Sequence, residues 1–437
     1  MTTTTTTQAR VPSVTRVIRP VTLLVIGWVI ASLEGYDLAV FGASIPAIVT
    51  DRSLGVDKIG AGAIGSLVAI GMLAGAGLAG ALVHRMGPRA LIIGSVGLFS
   101  AGMVLSAVAP DSTLFGAGRL VTGLGLGIVM PTLNSYVADL STPGRRNRNI
   151  ATVMSGYAFG GLSAPLLASV LLPHGAYRWL YLIGVVPAIA IVPFLLRLPE
   201  SPVHLLNTGR RDRATALNEH FGLPEPTLAS GGAAGRWFGL AQLLRRDVLA
   251  VTILFWVMCF CGLLLVFGIT TWLPSMMQAA GYPLGSALLQ TAMMWLGVGC
   301  GVIAGGRVAD AIGPKRVVIV AFLVSSASLV LISTGPAVAL LYLLMFVAGF
   351  GFIGAQMLVN GFIATRYPDD LRGNGLAWAL SVGRFGAIAG PSLGAFILAS
   401  SLSVRWNFLA FAIPGLIGAT AAVLVPMARK KAGGARG

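Results

Sequence analysis

The chain alternates long apolar runs with short polar segments. A bilayer-spanning helix needs about 20 predominantly apolar residues. Runs of that kind lie near 20–48, 58–83, 89–109, 113–139, 148–172, 178–197, 247–274, 285–308, 315–334, 337–365, 371–400 and 405–428. They predict an all-α integral membrane protein with twelve spans. The one long polar stretch, 198–246, parts six spans from six. The expected units are therefore an N-terminal bundle over 20–197, a linker over 198–246 and a C-terminal bundle over 247–428. Tails at 1–19 and 429–437 flank them. The first tail begins MTTTTTT and reads as disordered; the apolar run after it is too long for a cleaved signal peptide.

Composition narrows the class further. Of 437 residues, 56% are hydrophobic and only 10% charged, where soluble domains carry about 25%. Water-soluble readings are excluded. The formal charge of +16 would suggest nucleic acid on a soluble protein, but its distribution follows topology instead. Loops on one side hold Arg85, Arg89, Arg145, Arg146, Arg148, Arg210, Arg211, Arg213, Lys315, Arg316, Arg366 and Arg372, and the basic C-terminal tail joins them. The other side holds Arg52, Lys58, Arg178 and Arg405. The positive-inside rule then places both termini and the linker in the cytoplasm, in a bacterial-type cytoplasmic (inner) membrane, with the bilayer as partner and no nucleic acid. Cys259, Cys261 and Cys300 show no metal-site spacing and read as small packing residues. No cofactor is expected.

The two halves repeat each other. Gly80-x-x-x-His84-x-x-Gly87-Pro88-Arg89 returns 226 residues later as Gly306-x-x-x-Asp310-x-x-Gly313-Pro314-Lys315. The same offset pairs Gly123, Asn134, Ser155, Gly160 and Pro165 with Gly349, Asn360, Ser381, Gly386 and Pro391. With one extra residue it pairs Arg178-Trp179 with Arg405-Trp406. Two parallel six-helix repeats imply a substrate site at the midplane between them.

These residues resemble the major facilitator superfamily, whose cytoplasmic loops after spans 2 and 8 carry Gly-x-x-x-Asp-x-x-Gly-x-Lys. The resemblance implies a loop or gating role for Gly80, Arg85, Gly87, Arg89, Asp310, Gly313 and Lys315. The first copy departs from the pattern at His84. Pro199-Glu200-Ser201-Pro202 also resembles a superfamily motif. A narrower resemblance, to the aromatic acid:proton symporter family, covers nearly the whole chain. It rests on Glu34-Gly35-Tyr36-Asp37 in span 1, RLVTGLGLGIVMPTLNSYVADL in span 4, and GAQ, YP and GRFGAI pieces in spans 10 and 11. The family carries Asp where this chain has Glu34. The resemblance implies import of an aromatic carboxylate such as a hydroxybenzoate, driven by the proton motive force.

The residues carry a parallel argument. At about 1.5 Å rise per residue, Glu34 and Asp37 lie ~21 and ~25 Å from the cytoplasmic end of span 1. Arg119 and Arg384 come to ~21 and ~20 Å in spans 4 and 11. Two acids and two arginines thus share one depth. Charge on a lipid face is expensive, so these groups face the central cavity. Buried ion pairs could simply lock helices together, yet they stabilise poorly compared with apolar packing. Asp37 is the expected proton carrier, with Glu34 assisting and Arg119 competing with the proton; Arg119-x-x-x-Gly123 also matches a superfamily motif linked to coupling. Arg384 offers bidentate donors to a substrate carboxylate, or else caps backbone carbonyls in a glycine-rich helix.

An aromatic substrate needs ring partners. Tyr36, Phe41, Tyr157, Trp256, Phe267, Trp272, Phe352 and Trp378 are the candidates, Tyr36, Phe267 and Trp272 foremost, with packing as the plainer role of most. Asn134 and Gln356 could bond ring hydroxyls or hold helices together. Asp139 reads as a gate beside Arg145 and Arg146 or as a solvated acid. The chain is expected to act as a monomer. The competing reading is a proton-driven drug or metabolite exporter. Span 5 lacks the exporters' Gly-x-x-x-Gly-Pro-x-x-Gly-Gly, though Gly386-x-x-x-Gly390-Pro391-x-x-Gly394 in span 11 approaches it. No nucleophile–base pair, metal cluster or phosphate loop points to an enzyme.

Overall fold

The computed structural model describes residues 18–224 and 236–426. The basic tails at either end fall outside these residues. Twelve helices are long and apolar enough to cross a membrane. The first six are α1 (Pro20–Thr50), α2 (Lys58–Met86), α3 (Pro88–Val108), α4 (Ser112–Asp139), α5 (Arg146–Leu171) and α6 (Tyr177–Leu195). The linker forms short helices α7 (Pro202–Asn207), α8 (Arg211–Phe221) and α9 (Arg236–Leu243). The last six are α10 (Leu249–Ala279), α11 (Leu284–Ile312), α12 (Pro314–Ile332), α13 (Val338–Arg366), α14 (Asp369–Ala399) and α15 (Trp406–Leu424).

Local chemistry sets the ends. Asp57 and Asp111 cap α2 and α4, accepting from the backbone N–H groups of Gly60 (2.7 Å) and Leu114 (2.8 Å). Gly87 and Gly313 hold φ of 81° and 89°, a region that disfavours other residues. Each ends one helix, and the proline after it starts the next. That turn explains the repeated Gly-Pro pair.

Glycines repeat because helix crossings repeat. A Cβ on Gly71 or Gly75 would collide with the carbonyls of Leu120 or Leu124. Their counterparts Gly297 and Gly301 press on Phe346 and Phe350. Gly160 rests on Ser32 of α1, and Gly386 on Phe260 of α10. Small residues let backbones approach this closely in a membrane. Within each half, α1 packs on α5 and α2 on α4, as α10 packs on α14 and α11 on α13. The product is two six-helix bundles.

The bundles meet through α1 with α10, α2 with α14 and α5 with α11. Lys58 donates to the Leu398 carbonyl at 3.1 Å. Ser66 Oγ donates to the Ile388 carbonyl at 2.7 Å and lies 3.0 Å from Ser392 Oγ. Gly42 abuts the Thr270 and Thr271 carbonyls. All these contacts lie in the half of the molecule away from the basic loops.

Those basic loops are tied down by the motif residues. Arg89 donates to the Leu196 carbonyl at the end of α6 (2.7 Å), and its backbone N–H to Glu200 Oε1 (3.3 Å). Its counterpart Lys315 reaches Val423 and Val425 at the end of α15 (2.9 and 2.5 Å). Both place a cation on the negative end of their bundle's sixth helix. Asp139 accepts from Ser201 Oγ at 2.7 Å, and Tyr136 donates to the Pro199 carbonyl at 2.6 Å. Gly87 sits against Glu200 and His204. Gly80, Arg85 and Asp310 are exposed. Among the described residues Asp310 has no ion pair, so the motif's acid position is idle here.

Candidate functional site

The sequence places two acids in α1, and the structure gives each a different setting. Asp37 and Arg119 form a bidentate pair, with Nη1–Oδ1 at 2.5 Å and Nη2–Oδ2 at 3.1 Å. Both are buried, at 0% and 1% exposure. The guanidinium carbon of Arg119 stands 5.1 Å from the Phe41 ring centre and 5.9 Å from that of Tyr181, where ring faces attract cations. Tyr181 is fixed in turn by Ser44 Oγ at 2.8 Å and by Phe115, edge to face at 5.5 Å. Arg119 Nε, also buried, has no partner.

Glu34 has no ion pair within reach among the described residues. It lies in electrostatic range of Arg384 on α14 and of Tyr157 on α5. Arg384, for its part, makes no hydrogen bond or ion pair with any described residue. The four groups that share a depth in the sequence thus lie as one closed pair, Asp37 with Arg119, and one open pair, Glu34 with Arg384.

Glu34 and Asp37 line a small cavity with Tyr157, Met72, Leu126 and Phe267. It holds about 10 Å³ for the centre of a water-sized sphere, near one water's requirement. Phe267 comes from α10, so the second bundle closes the chamber over the acids of the first. Trp295 of α11 lies beyond Tyr157, ring centres 5.5 Å apart, its own ring against Gly161. It is fully buried and its indole N–H lacks a partner.

Other expected residues sit elsewhere. The Trp272 indole N–H donates to the Pro391 carbonyl at 2.7 Å, and its ring packs on Gly394. It is a clamp between α10 and α14. Tyr36 donates to the Leu180 carbonyl at 2.7 Å and packs on Gly184, joining α1 to α6. Gln356 donates to Cys259 Sγ at 3.8 Å, leaving Oε1 buried without a donor. Asn134 and its repeat mate Asn360 each bury an unpartnered Oδ1. The Phe352 side chain is outside the described residues. Cys259 and Cys261 are buried as packing residues, whereas Cys300 is exposed and does not fit that reading.

Trp295, Tyr181 and Phe115 were missed. Trp295 has no aromatic mate in the repeat, where Ala69 stands, so no pattern singled it out. Asn360 could have been found, since the offset already paired it with Asn134.

The family profile described as Major Facilitator Superfamily matches residues 27–306 and 286–437. The chain belongs to that superfamily. It is 34% identical to the gentisate transporter of Corynebacterium glutamicum, over 92% of this chain and 87% of that protein. It is 29% identical to the benzoate transport protein of Acinetobacter baylyi, over 92% and 89% of the two. Among solved structures it resembles the xylose transporter XylE from E. coli in a partially occluded inward open conformation. The TM-score is 0.74 at 19% identity, covering 93% of this chain and 98% of that one. Such relatives are transporters, and this superfamily member is not an enzyme.

Proposed function

We propose that the protein imports an aromatic carboxylate by proton symport, with alternating access of the two bundles. The observation that carries this reading is Arg384. It is a guanidinium at mid-membrane, in electrostatic range of Glu34 across the seam, and the Arg384 side chain makes no hydrogen bond or ion pair with any described residue. Its planar fork matches a carboxylate bidentately. The names of the relatives, gentisate and benzoate transporters, supply the ring. Tyr157 lies in electrostatic range of Arg384 and packs on Trp295, and Phe267 lines the chamber beside the acids; in this reading these rings meet the ring of the substrate.

Charge counting supplies the coupling. Glu34, Asp37, Arg119 and Arg384 sum to zero when all are ionised. A dry site between rocking bundles disfavours net charge. One bound monoanion makes the set −1, and one proton restores neutrality. Asp37 is the acceptor in this reading: Arg119 competes with the proton for it, so an arriving anion that draws on Arg119 frees the carboxylate to be protonated. Neither proton nor acid alone leaves a neutral loaded site. The cavity seen here is too small for a ring, so the acid enters only as the bundles part. With the basic loops taken as cytoplasmic by the positive-inside rule, the seam contacts made by Lys58, Ser66 and Gly42 lie on the outer side in this reading.

The test is uptake of labelled benzoate and 4-hydroxybenzoate into energised vesicles, with and without a protonophore. Accumulation that collapses with the protonophore supports symport. Efflux of preloaded acid driven by an inward proton gradient would favour export instead.

A further inference from the structure

On the face away from the basic loops the two halves differ, and the second half has a cavity where the first has a clamp. In the first half, four residues close a clamp at the end of α1. Tyr177 donates to Asp51 Oδ2 at 2.6 Å, Ser53 Oγ donates to Asp51 Oδ1 at 2.7 Å, and Arg178 lies 3.5 Å from Asp51 Oδ2. Arg178 also reaches Ser53 Oγ at 3.3 Å. The repeat carries these positions to Met277, Ala279, Val404 and Arg405. Of the four, only the arginine is kept.

Every one of those four residues lines a cavity of about 220 Å³ between the ends of α10, α12 and α15. Val404 is smaller than the tyrosine at the matching place, and Met277 carries no charge for Arg405 to meet. Arg405, left without its acid, makes no side-chain hydrogen bond or ion pair with any described residue. Met277 and Phe408, 0% and 2% exposed, form an apolar floor. Tyr282 and the hydroxyls of Ser333 and Thr334 stand at the wall. Arg178 shows what an arginine at this place binds, which is a carboxylate.

We propose that this cavity is a second binding site, which takes a single-ring organic carboxylate on Arg405 at the face opposite the basic loops. The carboxylate occupies the place that Asp51 holds in the other half, and the ring fills the place of the Tyr177 side chain. The volume suits one ring, falling short of the about 300–1,000 Å³ of sites for larger molecules. Met277, Ile332, Val404 and Phe408 give the lining an apolar side that a bare inorganic anion would leave unused and a ring would cover. The proposal borrows the aromatic acid from the function proposed above, and the experiment separates the two.

Equilibrium dialysis of radiolabelled benzoate against protein in zwitterionic lipid nanodiscs counts the sites. The wild type is expected to bind two equivalents, Arg384→Ala one, and Arg405→Ala one. The double variant Met277→Asp/Val404→Tyr rebuilds the clamp and should also bind one, without removing the arginine. If Arg384→Ala removes all binding, the second site does not exist and the transport reading stands. If only Arg405-dependent binding is seen, the second site stands and the role of Arg384 falls. If the clamp variant keeps two equivalents, the cavity is not the site. A cation used only for lipid would show as Arg405-dependent enrichment of phosphatidylglycerol around the protein with no benzoate bound there, which overturns the proposal.

Discussion

The Asp37–Arg119 contact decides what substitutions there should do. Asp37→Asn keeps the shape of the side chain and removes its charge, leaving Arg119 buried without a counter-ion. Proton-driven accumulation should be lost while the protein still reaches the membrane. Protonophore-sensitive uptake by this variant at the wild-type level would remove Asp37 from coupling. Arg384→Lys trades a fork for a point charge. Charged hydrogen bonds contribute about 1.5–3 kcal/mol, so the half-saturation concentration should rise roughly tenfold to a hundredfold. An unchanged value would leave Arg384 a structural residue. Outside the membrane, Asp51 is held down to about 2, chiefly by the Tyr177 hydroxyl and then by Ser53. A depressed carboxylate stabilises the folded protein above its ordinary titration range, near 4, and that contribution is lost as pH falls toward about 2. The melting difference between wild type and Asp51→Asn should therefore be full at pH 6 and shrink on acidification. A difference independent of pH would detach the clamp from the charge. At this scale the sequence was partly readable. Depth found Asp37, Arg119, Glu34 and Arg384, because charges inside a bilayer must seek each other. It could not say that Trp272 and Tyr36 point their polar atoms at backbone carbonyls, since that depends on which way each ring leans.

Helices are paired by glycine rather than by large apolar stripes. Gly160→Ala would drive a methyl into the Ser32 carbonyl, and Gly386→Ala would do the same at Phe260. Overpacking typically costs about 1–3 kcal/mol, so each variant should melt lower in detergent. The two losses should be alike, because the crossings are equivalent. A neutral Gly386→Ala would mean that α10 and α14 can slide where α1 and α5 cannot. Span positions were legible to within a few residues for a plain reason: the hydrocarbon sets their length. The short linker helices α7, α8 and α9 were not, being read as one polar segment. Only tertiary contact supports them, such as Asp139 with Ser201.

The whole molecule joins at a seam that is sealed away from the basic loops. Ser66 and Ser392 face each other there at 3.0 Å. In a variant with Cys259, Cys261 and Cys300 replaced by serine, Ser66→Cys with Ser392→Cys should crosslink under mild oxidant. Uptake should stop and return with reductant. Crosslinked protein that still transports would show that this part of the seam never opens. The repeat, read from sequence, foretold two alike bundles but said nothing of where they touch. Contact between them is made in part by residues that have no like mate in the repeat, among them Trp295, which falls on Ala69, and Ser66, which falls on Ala292.

Among the described residues, the hydrogen bonds across that seam are two made by the Ser66 hydroxyl and one made by Lys58. A hydrogen bond of this kind contributes a net of about 0.5–1.5 kcal/mol. The two made by Ser66 together contribute about 1–3 kcal/mol, roughly fivefold to a hundred-and-fiftyfold in favour of the sealed state. A latch that weak is released by ordinary thermal fluctuation many times before a chemical step is needed. If the proposed symport holds, the tempo of the cycle is set by how often a neutral cargo is aboard when the latch lifts.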